Sequence, residues 1–392
     1  MKKQLLTSAI AGCFLAASGT ASAGGAVEAL TGTDINGTKI TQDLGIDFGG
    51  WVSAGFSWNT GDPSDNRNGP VTFNDRDLEF QMNQLNLFIS EEATAGDNYD
   101  LGFRADVLFG TDANYTQATG LDDKLIPNMS SRYDLAIPQV YAELYAPIGN
   151  GVTIKAGHFY TIIGNETVTS PDNFFYSHAY TMQYGEPFTH TGFLAETALT
   201  DSINIRAGSV LGWDTFNDDT DQAWSFIGGA DWTSADGATS VTLASVYGDT
   251  TEDSGLDRFI YSVVATHDIT NSLHLLIQHD HGVQEVAGGT EQEWYGVNSY
   301  LTYDVSDNLG VAVRGEWFRD DDNARGINGA TGADSYYAIT GGINYSITNW
   351  LKVRPEVRYD WSDNTNAFDA STKDDQFLVS TDEIGRASCR ER

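Results

Sequence analysis

Five charged residues stand at every second position of WLKVRPEVRYDW, residues 350–361: Lys352, Arg354, Glu356, Arg358 and Asp360, with Leu351, Val353, Pro355, Val357, Tyr359 and Trp361 between them. A period of two places these sets on opposite faces of one β-strand, whereas a helical repeat would mix them around its axis. The alternation recurs along the chain. In LGFRADVLFG (residues 101–110) Leu101, Phe103, Ala105, Val107 and Phe109 oppose Arg104 and Asp106. In PQVYAELY (residues 138–145) Val140, Ala142 and Leu144 oppose Gln139, Tyr141 and Glu143, and in LGVAVRGEW (residues 309–317) Leu309, Val311 and Val313 oppose Arg314 and Glu316. Lys155 and Arg206 fall on the polar side of segments of the same kind. After the first residues, no stretch reads as a long amphipathic helix.

The connections alternate in length. LTDSINI, SADGATSV, ITNSLHL, VSDNLGV and ITNWLKV each read as a tight polar turn between two strands, and they recur roughly every 35 residues or slightly more. Between them lie long polar stretches such as TGDPSDNRNGPVTFNDRD and RDDDNARGINGATGAD. Tight turns at one end and long loops at the other are the asymmetry of an outer-membrane β-barrel. Eight long loops imply about sixteen antiparallel strands between Gly49 and Asp382.

A soluble β-sandwich also alternates, but it turns its charged face to water and its apolar face inward. Three features favour the barrel, in which apolar residues meet lipid and charges line the lumen. The strands reach the ~9–11 residues that a tilted span needs. Trp51, Trp58, Trp213, Trp317, Trp350 and Trp361 gather at strand ends, as interfacial aromatics do. The first residues look like an export signal: Lys2 and Lys3, a short apolar run from Leu5 to Ala17, and a small-residue site at Ala21-Ser22-Ala23. Residues 1–23 are therefore expected to be a signal peptide, 24–44 a periplasmic lead-in, and 45–382 the barrel. The last ten residues, EIGRASCRER (383–392), lack alternation and resemble the translation of a sequencing adapter, so they read as a non-native tail. Pro355 lacks a ladder donor and predicts a local bulge.

The chain carries 55 acidic against 21 basic residues, a net charge of −34, which excludes nucleic acid as a partner. Cys13 and Cys389 lie in the two suspect terminal segments, which leaves no disulfide framework.

The most distinctive block is SPDNFFYSHAYTMQYGEPFTHTG, residues 170–192. Together with FQMNQLNLFIS (80–90), VTIKAGHFYTIIG (152–164) and LIQHDHG (276–282), it resembles the β-barrel porin-2, OmpL-like, family of Gram-negative outer membranes, from about Gly49 to Thr381. The resemblance implies an outer-membrane channel and brings no catalytic residues with it. On its own residues the block either folds inward to narrow the pore or caps the barrel. Its aromatics favour the inward course, with Asp172, Phe174, Phe175, Tyr176, His178, Tyr184 and Glu186 as the constriction residues.

The remaining chemistry is sparse. His279-Asp280-His281, with His274 and His267, suggests a metal at first sight, but His279 and His281 share a face while His274 and Asp280 take the other. No nucleophile elbow or helical zinc motif is present, and no cofactor is called for. Arg104, Asp106, Gln139, Tyr141, Glu143, Lys155, Arg206, Arg314, Glu316, Lys352, Arg354, Glu356, Arg358 and Asp360 are expected to line a water-filled pore for passive diffusion of small hydrophilic solutes. The acid-rich loops predict a cation preference at the mouth. Outer-membrane lipid and lipopolysaccharide, the barrel-assembly machinery and a homotrimer are the partners expected of such a chain. The competing reading is a non-conducting barrel serving as adhesin, receptor or envelope enzyme.

Overall fold

The structure, a computed structural model, describes residues 25–123, 125–126, 132–217, 224–249, 256–286, 288–327, 332–363 and 366–387. The expected signal segment 1–23 and the end of the tail, 388–392, lie outside the described residues.

Seventeen β-segments form one antiparallel sheet: β1 (Asp47–Asn59), β2 (Phe80–Glu91), β3 (Asp100–Gly110), β4 (Asp134–Ala136), β5 (Val140–Ala146), β6 (Val152–Tyr160), β7 (Thr189–Thr200), β8 (Ile203–Val210), β9 (Ser225–Thr233), β10 (Thr239–Asp249), β11 (Asp257–Thr270), β12 (Leu273–Val286), β13 (Thr290–Ser306), β14 (Leu309–Asp321), β15 (Asp334–Ser346), β16 (Leu351–Ser362) and β17 (Asp375–Arg386). Both β4 and β5 pair with β3, so they are two pieces of one crossing, interrupted around Pro138. The result is sixteen crossings. The sheet closes because β17 pairs with β1, from Trp51↔Arg386 to Asn59↔Leu378. Closure removes every free sheet edge, as a spanning barrel requires.

The outer face is apolar. Leu101, Val107, Phe193, Phe226, Leu243, Ile277, Val313, Ile339, Val357 and Phe377 are all exposed, each opposite a lumen-facing neighbour. An apolar surface running around every strand has no place in water and belongs in lipid. Before β1, two short helices, α1 (Ala26–Thr31) and α2 (Lys39–Leu44), sit at the short-turn end. The Asn36 side chain ties them to β1 by exchanging two hydrogen bonds of 2.9 Å with the Phe48 backbone.

Several expectations need correction. Trp51 and Trp213 do not join an outer girdle: Trp51 points inward and donates its indole N–H to Gln84 at 2.7 Å, and Trp213 packs inside the barrel. Trp317 and Trp361 do stand on the outer face, against Tyr295 and Tyr337. Pro355 makes no bulge. The β15–β16 ladder skips from Gly342↔Glu356 to Tyr345↔Val353 in unchanged register, because the missing N–H deletes a rung without adding a residue. A bulge occurs instead on β2, between Ser53↔Gln84 and Ala54↔Met82, and it explains the mixed alternation there. The barrel also runs four residues past the boundary expected at 382, since Glu383–Arg386 pair with β1 and β16. A main-chain ladder asks only that the chain be extended, so it accepts residues without alternation.

Candidate functional site

Residues 161–188, between β6 and β7, turn into the lumen instead of capping it. Pro171, Phe175, Tyr176, Ala179, Tyr180, Met182 and Gly185 are buried there, and Thr181–Gly185 form a single π-type turn. Strand glycines make room for this course. A Cβ on Gly55 of β1 would strike the Tyr176 ring, and one on Gly342 of β15 would come 3.0 Å from Phe175. Glycine in a strand interior marks such close approach.

One arc of the wall, β12–β17 with β1 and β2, holds the loop by polar bonds. Arg314 donates from Nε to Glu316 (2.9 Å) and from Nη1 to Glu166 Oε1 and the Ser177 carbonyl, both at 2.7 Å. Glu166 also accepts the Ala179 N–H (2.7 Å) and the Tyr300 hydroxyl (2.6 Å). Glu316 and Glu356 accept the backbone N–H of Tyr180 (2.8 Å) and Tyr176 (2.9 Å). Arg358 bridges Asp360 and the His178 carbonyl, both at 2.8 Å. Arg354 grips Asp382 with two nitrogens (2.8 and 2.6 Å) and reaches the Ser170 and Asn173 carbonyls with the third. Gln84 and Gln278 anchor the shoulders, bonding Val168 O (2.6 Å) and Glu186 (2.7 Å).

Arg314, Glu316, Arg354, Glu356, Arg358 and Asp360 therefore face the lumen as the alternation requires, but they do not line open water. The loop covers them, and each is 8% exposed or less. Buried guanidinium groups need carboxylates and carbonyls around them, and the loop backbone supplies the carbonyls. Of the expected constriction residues, Phe175, Tyr176, His178 and Glu186 are buried, Phe174 and Tyr184 half-buried, and Asp172 exposed. Burial alone would raise the Glu166 carboxyl, but Arg314 and the His178 and Tyr300 hydrogen bonds overcome it and hold Glu166 well below the usual carboxylate range. Glu186 goes the other way: burial and the adjoining Asp280 carboxylate push it well above its ordinary value.

Water still reaches the opposite arc. Arg104 is 25% exposed and paired with Asp106 at 2.6 Å, which also receives the Gln139 amide at 3.4 Å. Tyr141 lies under the Lys155 ammonium, 5.1 Å from its ring centre, and Arg206 meets Asp231 at 2.6 Å. Glu143 accepts the Ala93 N–H at 3.3 Å; across the lumen, Lys352 of β16 is half-buried. The same arc holds a surprise nearer the long loops. The lumen face of β7–β11 is apolar there, with Leu194, Val210, Ile227, Val246 and Ile260 buried against Ile163, and Ile162 and Trp213 packed on them.

The histidines are not assembled. His279 and His281 stand on the outer face beside Tyr261, while His274 lies between Asp268 and Asp304 at the short-turn rim. Among the described residues no group of three or more His, Cys, Asp or Glu could hold a metal ion. Alternation missed Glu166, Gln84, Gln278, Tyr300, Gly55 and Gly342. The strand glycines were the available signal for the close approach, while Glu166 sits in a loop where no periodicity exists.

No curated protein matches the chain by sequence. Among solved structures, the barrel is similar to the anion-selective porin from Comamonas acidovorans, with 11% identity, a TM-score of 0.62, and coverage of 87% of this chain and 99% of that one. It is similar to the outer membrane channel DcaP of Acinetobacter baumannii, with 12% identity, a TM-score of 0.58, and coverage of 87% and 96%. The trimer form of OmpT, an outer membrane protein of Vibrio cholerae, matches at 13% identity and a TM-score of 0.56, covering 87% and 98%. At these identities the likeness speaks for the fold. Residues 45–385, most of the chain, match the family described as "Putative beta-barrel porin-2, OmpL-like", and the chain belongs to that family of outer-membrane porins.

Proposed function

We propose that the protein is a non-enzymatic outer-membrane channel for passive diffusion, whose aperture is set by residues 161–188. The observation that carries this reading is the loop's course: it enters a closed sixteen-crossing barrel and is bonded to the wall from the inside. Sixteen crossings leave a lumen too wide for wall side chains to fill, so a chain segment must narrow it. Arg104, Tyr141, Glu143, Lys155, Arg206 and Lys352 face the space left over and form the pore lining. Short turns face the periplasm and long loops the exterior. A homotrimer suits a barrel of this kind, given the trimer form of one structural neighbour. Lipid and lipopolysaccharide would surround the apolar face, and the barrel-assembly machinery would insert it.

Deleting Phe174–Tyr184 removes the narrowing segment and keeps both shoulders. In planar bilayers the deletion variant is expected to conduct several-fold more per channel than the full chain. Equal single-channel conductance would show that the loop does not set the aperture.

A further inference from the structure

The two arcs of the lumen grip the loop by different physics. On β12–β17, β1 and β2 the contacts are directional, and each separation strands a buried guanidinium or carboxylate (the Arg314–Glu166 and Arg358–His178 bonds among them). On β7–β11 the contact is chiefly side chain on side chain: Ile162 and Ile163 of the loop, with Trp213 of the β8–β9 connection, lie against Leu194, Val210, Ile227, Val246 and Ile260, and polar bonds hold the loop's two ends, between Thr161 and His190 (3.0 Å) and from the Phe188 N–H to Asp214 (2.9 Å). Apolar surfaces part or slide without orphaning a hydrogen bond. The structure shows this seam shut, with Val210, Ile227 and Ile260 at 0% exposure and Val246 at 1%. An opening that follows the weakest constraint runs here and not along the polar arc.

The seam also has distinct ends. On the long-loop side the Arg258 and Arg325 guanidiniums lie over Trp213, at 4.7 and 5.4 Å from its ring. On the short-turn side it gives onto half-exposed Tyr141 and Lys155. A solute crossing it leaves charged and aromatic groups, passes an aliphatic wall, and meets charged and aromatic groups again.

We propose that this seam is the permeation path and that it makes the channel favour solutes with an apolar face, such as an arene or short alkyl body bearing a charged end, over hydroxylated solutes of similar charge. A fully hydrated polar solute would have to shed water against a mainly aliphatic wall, whereas an apolar face loses little there. The inference rests on the channel reading above and names the solute class of that same lumen.

Bi-ionic reversal potentials of the refolded full chain in planar bilayers test it, with permanently charged probes that differ in their bodies. Benzenesulfonate is compared with isethionate, and phenyltrimethylammonium with choline. The aromatic ion of each pair is the larger. The expected result is a several-fold permeability preference for both aromatic ions. The double substitution Ile227→Asn and Val246→Asn should return both ratios to the order of size. If that variant does not fold, Ile163→Ser alters the same seam from the loop side, outside the ladder, and should move both ratios the same way. Ratios that follow size in the unaltered protein, or that ignore these substitutions, overturn the proposal and leave the channel reading standing. No unitary current in any salt would overturn the channel reading and this proposal together.

Discussion

At the residue scale, Arg314 is the keystone of the lumen. Its guanidinium joins Glu316 on its own strand to Glu166 and Ser177 on the loop, with no exposure to water. Arg314→Met leaves two buried carboxylates without their shared cation and should cost about 3–5 kcal/mol. The expected readouts are a lower temperature for loss of the fast-migrating folded band in SDS and faster proteolysis within 161–188. Glu186 gives a pH prediction of the opposite kind. Its raised pKa means that the folded barrel keeps a proton the unfolded chain gives up near about 4.5. Stability therefore falls as pH rises from that value toward the folded pKa. Glu186→Gln should stabilise the barrel at alkaline pH and change it little in acid, as read by the same heat-shift assay. For Glu166 the sign reverses: its stabilisation is complete above the unfolded value and is lost only in strong acid.

At the element scale, strand direction and facing were legible in the sequence, because a period of two has one structural meaning when a face meets lipid. WLKVRPEVRYDW became β16 with all five charges inside, and a one-residue slip would turn Lys352, Arg354 and Arg358 onto lipid at up to ~2–4 kcal/mol each near the midplane. Exposure was not legible. Nothing in Arg354 or Arg358 says that a segment about 180 residues earlier will lie on top of them. The apolar lumen of β9–β11 was hidden for a related reason: Ile227 beside Phe226, Val246 beside Tyr247 and Ile260 beside Phe259 are apolar on both faces, so alternation is silent. Trp51 and Trp213 misled because an indole at a strand end suits an interface and a packed interior equally well. The last strand supports a further prediction. Glu383–Arg386 complete the pairing of β17 with β1. Truncation after Asp382 should lower the yield of folded band on refolding, since it removes the pairs Trp51↔Arg386 to Ala54↔Glu383.

At the scale of the whole molecule, charge is unevenly shared between wall and rim. Acids outnumber bases on the strands as well as in the connecting loops, and the loops carry the larger share of the net −34. A mouth of that sign should favour cations, giving a cation-selective reversal potential in a potassium chloride gradient at low salt. The preference should fade as ionic strength shortens the Debye length from about 30 Å at 0.01 M toward 3 Å at 1 M. Selectivity among small inorganic ions would then come from the rim, and selectivity among organic solutes from the seam.

The pairing of β1 with β17 has a consequence for how the chain is made. The first strand finds its second partner only when the last one exists, and the loop that narrows the lumen precedes its anchors Arg314, Arg354 and Arg358 in the chain. The buried arginine contacts of residues 161–188 thus wait for the last strands, a topology of high contact order that folds slowly and leaves open edges meanwhile. A nascent chain halted anywhere before β17 would carry an unanchored insert and an open sheet with two raw edges, so the molecule can be finished only as a whole.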